Sequence, residues 1–457
     1  MKRAGLDYLK KWKDKKTRKP LIIRGARQVG KSYLVRLFAK EHGLDLLEIN
    51  LELNDDYIPC FKSKDPKQII TLLELKSSQK VVPGKTLLFL DEIQAAPEVL
   101  ATLRYFYEIL PRLHVIAAGS LLEFVLEEHS FSMPVGRIEY MHLGPMSFKE
   151  FLNGIGKHQL REFIEQYQFP KEFPVVVHDE LMKIFKLYLA IGGMPEAIQV
   201  YSDTNSLLEV DTVKQSILLT YRDDFSKYKQ RVNHVRLQKV FQKLPFQISQ
   251  KLKYVNLDRN EKSSDLKKAL HLLSLARVYY PVYHTAANGI PLRAQSNEKN
   301  QKPLFLDVGL LTRACGVSYA DIEMADQVTL INSGPICEQF IGQHLLYARP
   351  CYEEPELFYW SREKRQASSE IDYILSHGPR IIPVEVKAGK TGTLKSLHVF
   401  IKEKELHYGV RFNADIPSCI DITTSLPEKP VMLRLLSLPL YMVEELQRIV
   451  TLTYQQQ

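Results

Sequence analysis

A chain of 457 residues, 45% hydrophobic and 25% charged, is too long for one ordinary domain and too apolar for wholesale disorder. The formal charge of +9 permits an anionic partner, of which nucleic acid is the commonest, without requiring one. No two of the five cysteines (Cys60, Cys315, Cys337, Cys351, Cys419) form a C-x-x-C pair and no apolar run is long enough to span a membrane, so the expectation is a soluble, cytoplasmic protein with reduced thiols and no zinc site.

Residues 1–19 are rich in Lys and Arg, and Leu6, Leu9 and Trp12 recur at helical spacing. An amphipathic helix is expected, its basic face either solvated or set against nucleic acid. Buried-strand patterns follow at 21–23, 46–51, 86–90 and 114–118, with helical stretches between them up to about residue 160. That alternation predicts a parallel sheet wrapped by helices. From about residue 178 the pattern is mainly helical. A basic helix over 236–253 and a second over 264–276 precede an apolar strand at 278–283, a polar loop with Asn288-Gly289, and Leu304-Phe305-Leu306. Two helices and a hairpin fit a winged helix-turn-helix, and they fit a helical bundle with a supporting hairpin equally well. Beyond residue 330 the pattern is a helix over 334–347, strands at 357–360, 370–375 and 381–386, and a helix over 394–405.

The segment Gly25, Ala26, Arg27, Gln28, Val29, Gly30, Lys31, Ser32 fits G-x-x-x-x-G-K-[ST]. It follows a predicted strand and opens a helix with Tyr33, Leu34, Val35 and Phe38, the setting a phosphate-binding loop requires. The two glycines let backbone N–H groups face the phosphates, and the helix N-terminus adds partial positive charge. Lys31 is placed to reach the β- and γ-phosphates and Ser32 to ligate Mg2+, so a nucleoside triphosphate, ATP or GTP, is the expected ligand. The run Leu87 to Glu92 ends a buried strand in two acids, where ligands meet a parallel sheet. Asp91 is expected to hold Mg2+ through water and Glu92 to polarise the attacking water. Ser120, after another strand, is a candidate for contact with the γ-phosphate or that water. Arg137 is a candidate arginine finger, with Arg104 as another.

A second acidic constellation lies downstream. Asp372 sits in Glu370-Ile371-Asp372, and twelve residues separate it from Glu385 in Glu385-Val386-Lys387. Strand period puts Glu385 and Lys387 on one face. Asp372, Glu385 and, from the preceding helix, Glu338 are candidate Mg2+ ligands, with Lys387 beside them to neutralise charge in phosphodiester cleavage. A salt-bridged, solvated sheet face is the alternative.

With these motifs the chain resembles a widespread family of bacterial and archaeal AAA-type ATPases. The resemblance runs through RGARQVGKS (24–32), FLDEIQ (89–94), AAGS (117–120), Gly136-Arg137, LGPMSFKEF (143–151), GGMPEA (192–197), LFLDVGLL (304–311) and the stretch from FYWSREKRQASSEIDYIL to PVEVKAG. It implies an α/β AAA-like P-loop NTPase domain with a parallel sheet (1–165), a helical winged-helix-like domain (175–328) and a C-terminal α/β domain similar to PD-(D/E)XK restriction-endonuclease folds (330–457). It implies ATP rather than GTP, and it supports Lys31, Ser32, Asp91 and Glu92 for nucleotide and Glu338, Asp372, Glu385 and Lys387 for the nuclease-like site. One departure is Ile371-Asp372 where restriction enzymes carry Pro-Asp, which leaves cleavage open. The expected function is a Mg2+-dependent ATPase coupled to a DNA-interacting module with or without nuclease activity. The alternative is a nucleotide-gated regulatory protein whose nuclease-like domain is inert. If Arg137 or Arg104 acts in a neighbouring subunit, a homo-oligomer is implied.

Overall fold

Leu6, Leu9 and Trp12 are buried on one face of the helix Gly5–Lys13, which packs on the helix Lys31–Glu41. The structure, a computed structural model, describes residues 1–120, 122–127, 136–225, 233–323, 333–364, 367–390, 392–424 and 430–454. Arg365 and Gln366, which belong to the quoted stretch FYWSREKRQASSEIDYIL, lie outside the described residues.

Strands β1 (Leu21–Arg24), β2 (Asp45–Asn50), β3 (Thr86–Asp91), β4 (His114–Gly119) and β5 (Glu139–His142) form a parallel sheet in the order β2-β3-β4-β1-β5. Strand alternation divides its side chains between two cores. Leu21, Ile23, Leu87 and Phe89 face one; Ile22, Leu88, Leu90 and Val115 face the other. The sequence pattern had shown four of the five strands. β5 escaped it, because the four residues Glu-Tyr-Met-His carry no apolar run and only Met141 and His142 are buried.

The expected hairpin at residues 278–306 exists, as β6 (Tyr279–Thr285) against β7 (Ser296–Phe305), but it does not stand out as a separate wing. β6 also pairs in parallel with β8 (Leu357–Lys364), so the hairpin forms one end of an eight-stranded mixed sheet. β9 (Ala367–His377), β10 (Arg380–Val386), β11 (Tyr408–Asn413), β12 (Ser418–Thr423) and β13 (Met432–Pro439) complete it, in the order β12-β13-β11-β10-β9-β8-β6-β7. Tyr279, Tyr280 and Val282 are buried on both faces of β6, which a strand solvated on one side would not permit. The sheet therefore crosses the boundary expected near residue 330. The helices His234–Lys243 and Ser263–Leu275 pack on each other beside the hairpin.

Three motifs that no nucleotide chemistry explains meet at one buried junction. Asp307 of LFLDVGLL accepts from Gly193 N–H at 2.7 Å and Leu310 N–H at 3.0 Å. Gly193, in GGMPEA, accepts from Met146 N–H of LGPMSFKEF at 2.6 Å. Tyr188 donates to Met146 at 2.6 Å, and Gln343 reaches Tyr188 and Asp307, each at 3.3 Å. A Cβ on Gly192 (φ +82°) would meet Asp307 Oδ1 at 2.1 Å, so glycine is required there on both conformational and steric grounds. Among the described residues no helix is long and apolar enough to cross a membrane.

Candidate nucleotide-binding site

β1 ends at Arg24 and the chain turns through Gly25 to Gly30 into the helix Lys31–Glu41. Gly30 has φ +90°, and Gln28 also takes a left-handed conformation, φ 61°. A Cβ on Gly25 would meet the Leu143 carbonyl oxygen at 2.2 Å. The backbone is thus curled against β5 and cannot carry a side chain at that position. Ala26 and Val29 are buried beneath the loop, and Tyr33 is exposed.

Lys31 is buried, and its ammonium donates to the Gly25 and Ala26 carbonyls at 3.1 and 2.8 Å. Burial, opposed by Glu92 and Asp91, brings its pKa down to about 8. Ser32 donates to Asp91 Oδ2 at 2.6 Å, and Asp91 Oδ1 accepts from Glu92 N–H at 3.0 Å. Burial raises the Asp91 carboxyl against the pull of the Ser32 hydrogen bond. Glu92 adopts a left-handed backbone (φ 50°), and its carboxylate accepts from Gln94 at 2.5 Å and Ser120 at 3.5 Å. Arg27 Nε donates to Ser120 at 3.2 Å. The loop, both acids and Ser120 therefore come together.

The arginine candidates do not join them. β5 begins at Glu139 opposite Leu21, the first residue of β1, so Arg137 lies at the end of the sheet away from the loop. It is paired with Glu108 at 3.0 Å and lies over Tyr107. Arg104 is exposed on the helix Pro97–Ile109, stacked on Tyr105. Neither placement supports an arginine finger within the same chain.

In the C-terminal sheet, β9 carries Asp372 and β10 carries Glu385, as expected. Asp372 Oδ2 accepts from Val386 N–H at 2.7 Å, and Lys387 donates to Glu385 Oε1 at 2.6 Å. Glu385 Oε2 is buried without a hydrogen-bond partner. Burial, together with repulsion from Glu338 and Glu385, pushes Asp372 well above the usual carboxylate range; burial raises Glu385 as well, against the pull of Lys387. Glu338, on the helix Ser333–Leu346, is engaged otherwise. Lys302, from β7, lies 2.5 Å from Glu338, 2.8 Å from Glu370 and 4.0 Å from Asp372. Among the described residues no three His, Cys, Asp or Glu side chains converge on a point that would hold a metal ion. Of the three expected ligands, Glu338 and Asp372 face the Lys302 ammonium, and Glu385 is paired with Lys387.

Residues 17–152 match the AAA domain family. Over those residues the chain is similar to P-loop ATPase domains, and its five-stranded parallel sheet fits that fold. Residues 182–321 and 333–422 match two domains of unknown function, DUF8612 and DUF4143. No match is found among curated proteins. Among solved structures, a Walker-type ATPase of Pyrococcus abyssi is 14% identical over 68% of this chain and 94% of that one, TM-score 0.42. PCH-2 of C. elegans is 15% identical over 45% of this chain and 61% of its own, TM-score 0.26.

Nucleotide in such an ATPase domain is ordinarily accompanied by Mg2+. The Ser32 hydroxyl at the helix start and the Asp91 carboxylate at the end of β3, 2.6 Å apart, are the hard oxygen groups that would hold that ion. Further groups on the loop had no sequence signal. Arg3 donates to the Val29 carbonyl at 3.0 Å and the Gly144 carbonyl at 2.8 Å, and pairs with Glu150 at 3.1 Å. From the helix Leu207–Asp224, Tyr221 donates to the Arg27 carbonyl at 2.6 Å and Asp224 pairs with the Arg27 guanidinium. Pro195, in GGMPEA, lies 3.4 Å from where a Gly30 Cβ would be. The phosphate loop is therefore held by Arg3, ahead of the matched residues, and by Pro195, Tyr221 and Asp224, after them.

Proposed function

We propose that this protein hydrolyses ATP with Mg2+ and uses the state of its phosphate loop to control how the helical region and the C-terminal sheet sit on the ATPase domain. The observation that carries the reading is Arg27. Its guanidinium touches Ser120 at the hydrolytic end of the site, and its side chain and carbonyl are held by Asp224 and Tyr221. Phosphate arriving at the loop N–H groups must re-partition these contacts.

In this reading Lys31 leaves the Gly25 and Ala26 carbonyls for the β- and γ-phosphates. Ser32 and Asp91 hold Mg2+, which neutralises charge developing on the phosphate oxygens. Glu92, positioned by Gln94 and Ser120, orients the attacking water and takes its proton. ATP rather than GTP follows from the AAA resemblance. The C-terminal sheet, similar in its Asp372/Glu385-x-Lys387 pattern to restriction-endonuclease folds, serves to bind rather than to cut. The net charge of +9 supports DNA as the bound partner.

Phosphate release from ATP tests the first half: Lys31→Ala abolishes it, and Glu92→Gln lowers it while ATP still binds. Unchanged release in Glu92→Gln would remove Glu92 from the mechanism. Retention on DNA at moderate salt tests the second half, and loss of all binding near physiological ionic strength would favour a protein partner. A homo-oligomer in which Arg137 serves a neighbour's nucleotide predicts that Arg137→Ala slows hydrolysis only under conditions where the chains assemble.

A further inference from the structure

We infer that Lys302 is the resident cation of the C-terminal carboxylate cluster, standing where a metal-dependent phosphodiesterase would hold its divalent ion. The inference rests on the reading above that this module binds without cutting.

Position comes first. The Lys302 ammonium lies within 2.8 Å of carboxylate oxygens from two elements, Glu338 on a helix and Glu370 on β9, and 4.0 Å from Asp372. Its side chain is 2% exposed, so these partners take the place of water. It also lies 5.5 Å from the centre of the Tyr359 ring, which favours a cation.

The lysine is held by more than its charge. Lys302 is paired with Val282 in the β6–β7 ladder. Gln339, next to Glu338, accepts from Phe305 N–H at 2.9 Å and donates to the Phe305 carbonyl at 2.7 Å. Leu252 N–H donates to the Gln301 carbonyl at 2.8 Å. The helix that offers Glu338 to the ammonium thus also fixes the strand that carries it.

Charge accounts for the rest. Glu338, Glu370, Asp372 and Glu385 face Lys302 and Lys387. A divalent ion bridging Glu338 and Asp372 would meet the ammonium at contact distance in a buried setting, where like charges repel strongly. Entry of the ion would require the lysine to leave, and Gln339 and the β-ladder oppose that.

The test is a Mn2+ titration of the full-length protein without nucleotide, followed by electron paramagnetic resonance of free Mn2+. Wild type and Asp372→Asn are expected to take up Mn2+ identically at millimolar concentration. Lys302→Met, and Lys302→Gln as a second variant that retains hydrogen-bonding capacity, are expected to gain about tenfold or more in affinity at one site that Asp372→Asn removes. A wild-type site lost in Asp372→Asn overturns the inference whatever the variants do. Folded Lys302 variants with no gain also overturn it, since another feature would then exclude the ion. DNA cleavage is scored separately: metal uptake without cleavage leaves the binding-module reading intact, and cleavage by wild type refutes that reading.

Discussion

The Tyr221 hydroxyl donates to the main-chain carbonyl of Arg27 at 2.6 Å, joining the end of a helix near residue 221 to the middle of the phosphate loop. Both partners are local in space and nearly two hundred residues apart in sequence. Tyr221→Phe keeps the ring and removes one hydrogen bond, worth about 1 kcal/mol net. If the bond holds the loop ready for phosphate, ATP affinity weakens about three- to tenfold. Titration calorimetry measures this. An unchanged dissociation constant in a folded variant would disconnect the helix from the nucleotide.

Lys31 makes nucleotide binding sensitive to alkaline pH. Its pKa in the free loop is near 8 because burial disfavours the ammonium, and phosphate requires the charged form. Below pH 8 the charge is already present and affinity is flat. Above it, binding must take up a proton, and affinity falls by up to about tenfold per pH unit. Calorimetry at about pH 9 in buffers of different ionisation enthalpy counts that proton. Equal apparent enthalpies in all buffers would show that no proton is taken up.

Gly119 closes β4 where Gln94 supports Glu92. A Cβ at this position would meet Gln94 Oε1 at 2.3 Å. Gly119→Ala is expected to push Gln94 off the Glu92 carboxylate and slow phosphate release roughly ten- to a hundredfold. ATP affinity should stay within about twofold. A parallel loss of affinity and rate would mean that the strand end had moved instead.

His344 ties the helix Ser333–Leu346 to the N-terminal domain at Phe148. Its Nε2 accepts from Phe148 N–H at 2.9 Å and its Nδ1 faces the Phe340 carbonyl at 2.8 Å, so the ring is neutral with the proton on Nδ1. Burial lowers its pKa to about 4. The unfolded chain, titrating near 6.5, binds more protons between these values, so the contribution is full above pH 6.5 and is lost as pH falls toward 4. The loss is on the order of 3 kcal/mol at most. Thermal denaturation against pH should fall across that window, with a shallower slope in His344→Asn. An identical slope would assign the acid sensitivity to other buried groups such as His142, whose pKa burial, with Arg277 and Arg24, lowers to about 3.

The nucleotide site was largely legible in the sequence because its chemistry is local. Gly25, Gly30, Lys31 and Ser32 lie within eight residues, and a run of buried residues announces Asp91. What could not be read is what reaches the site from elsewhere. Arg3 ahead of the first helix, and Tyr221 and Asp224 at the end of another, are ordinary residues, and only the packing of distant elements gives them a role. The place of Arg137, away from the loop of its own chain, could not be read for the converse reason: a Gly-Arg pair carries no information about which end of a sheet it occupies. In the C-terminal sheet the strands bearing Asp372 and Glu385 followed from period-two patterning. Lys302 did not, because it lies in a polar stretch, Asn297 to Lys302, that reads as a loop until β6 pairs with it. That the hairpin joins a larger sheet was hidden for the same reason: the second partner of β6, β8, lies more than seventy residues downstream.

β7 is the outermost strand of its sheet, and edge strands are where register is least secure. Side chains alternate along a strand, so a slip of one residue would turn Lys302 to the opposite face and offer Gln301 or Pro303 in its place. Glu338, Asp372 and Glu385, all largely buried, would then be left with only Lys387 to balance them. The misaligned hairpin is thus penalised by charge as well as by lost packing. The native register is thus the one that sets an ammonium, and not an amide or a proline ring, against Glu338 and Glu370.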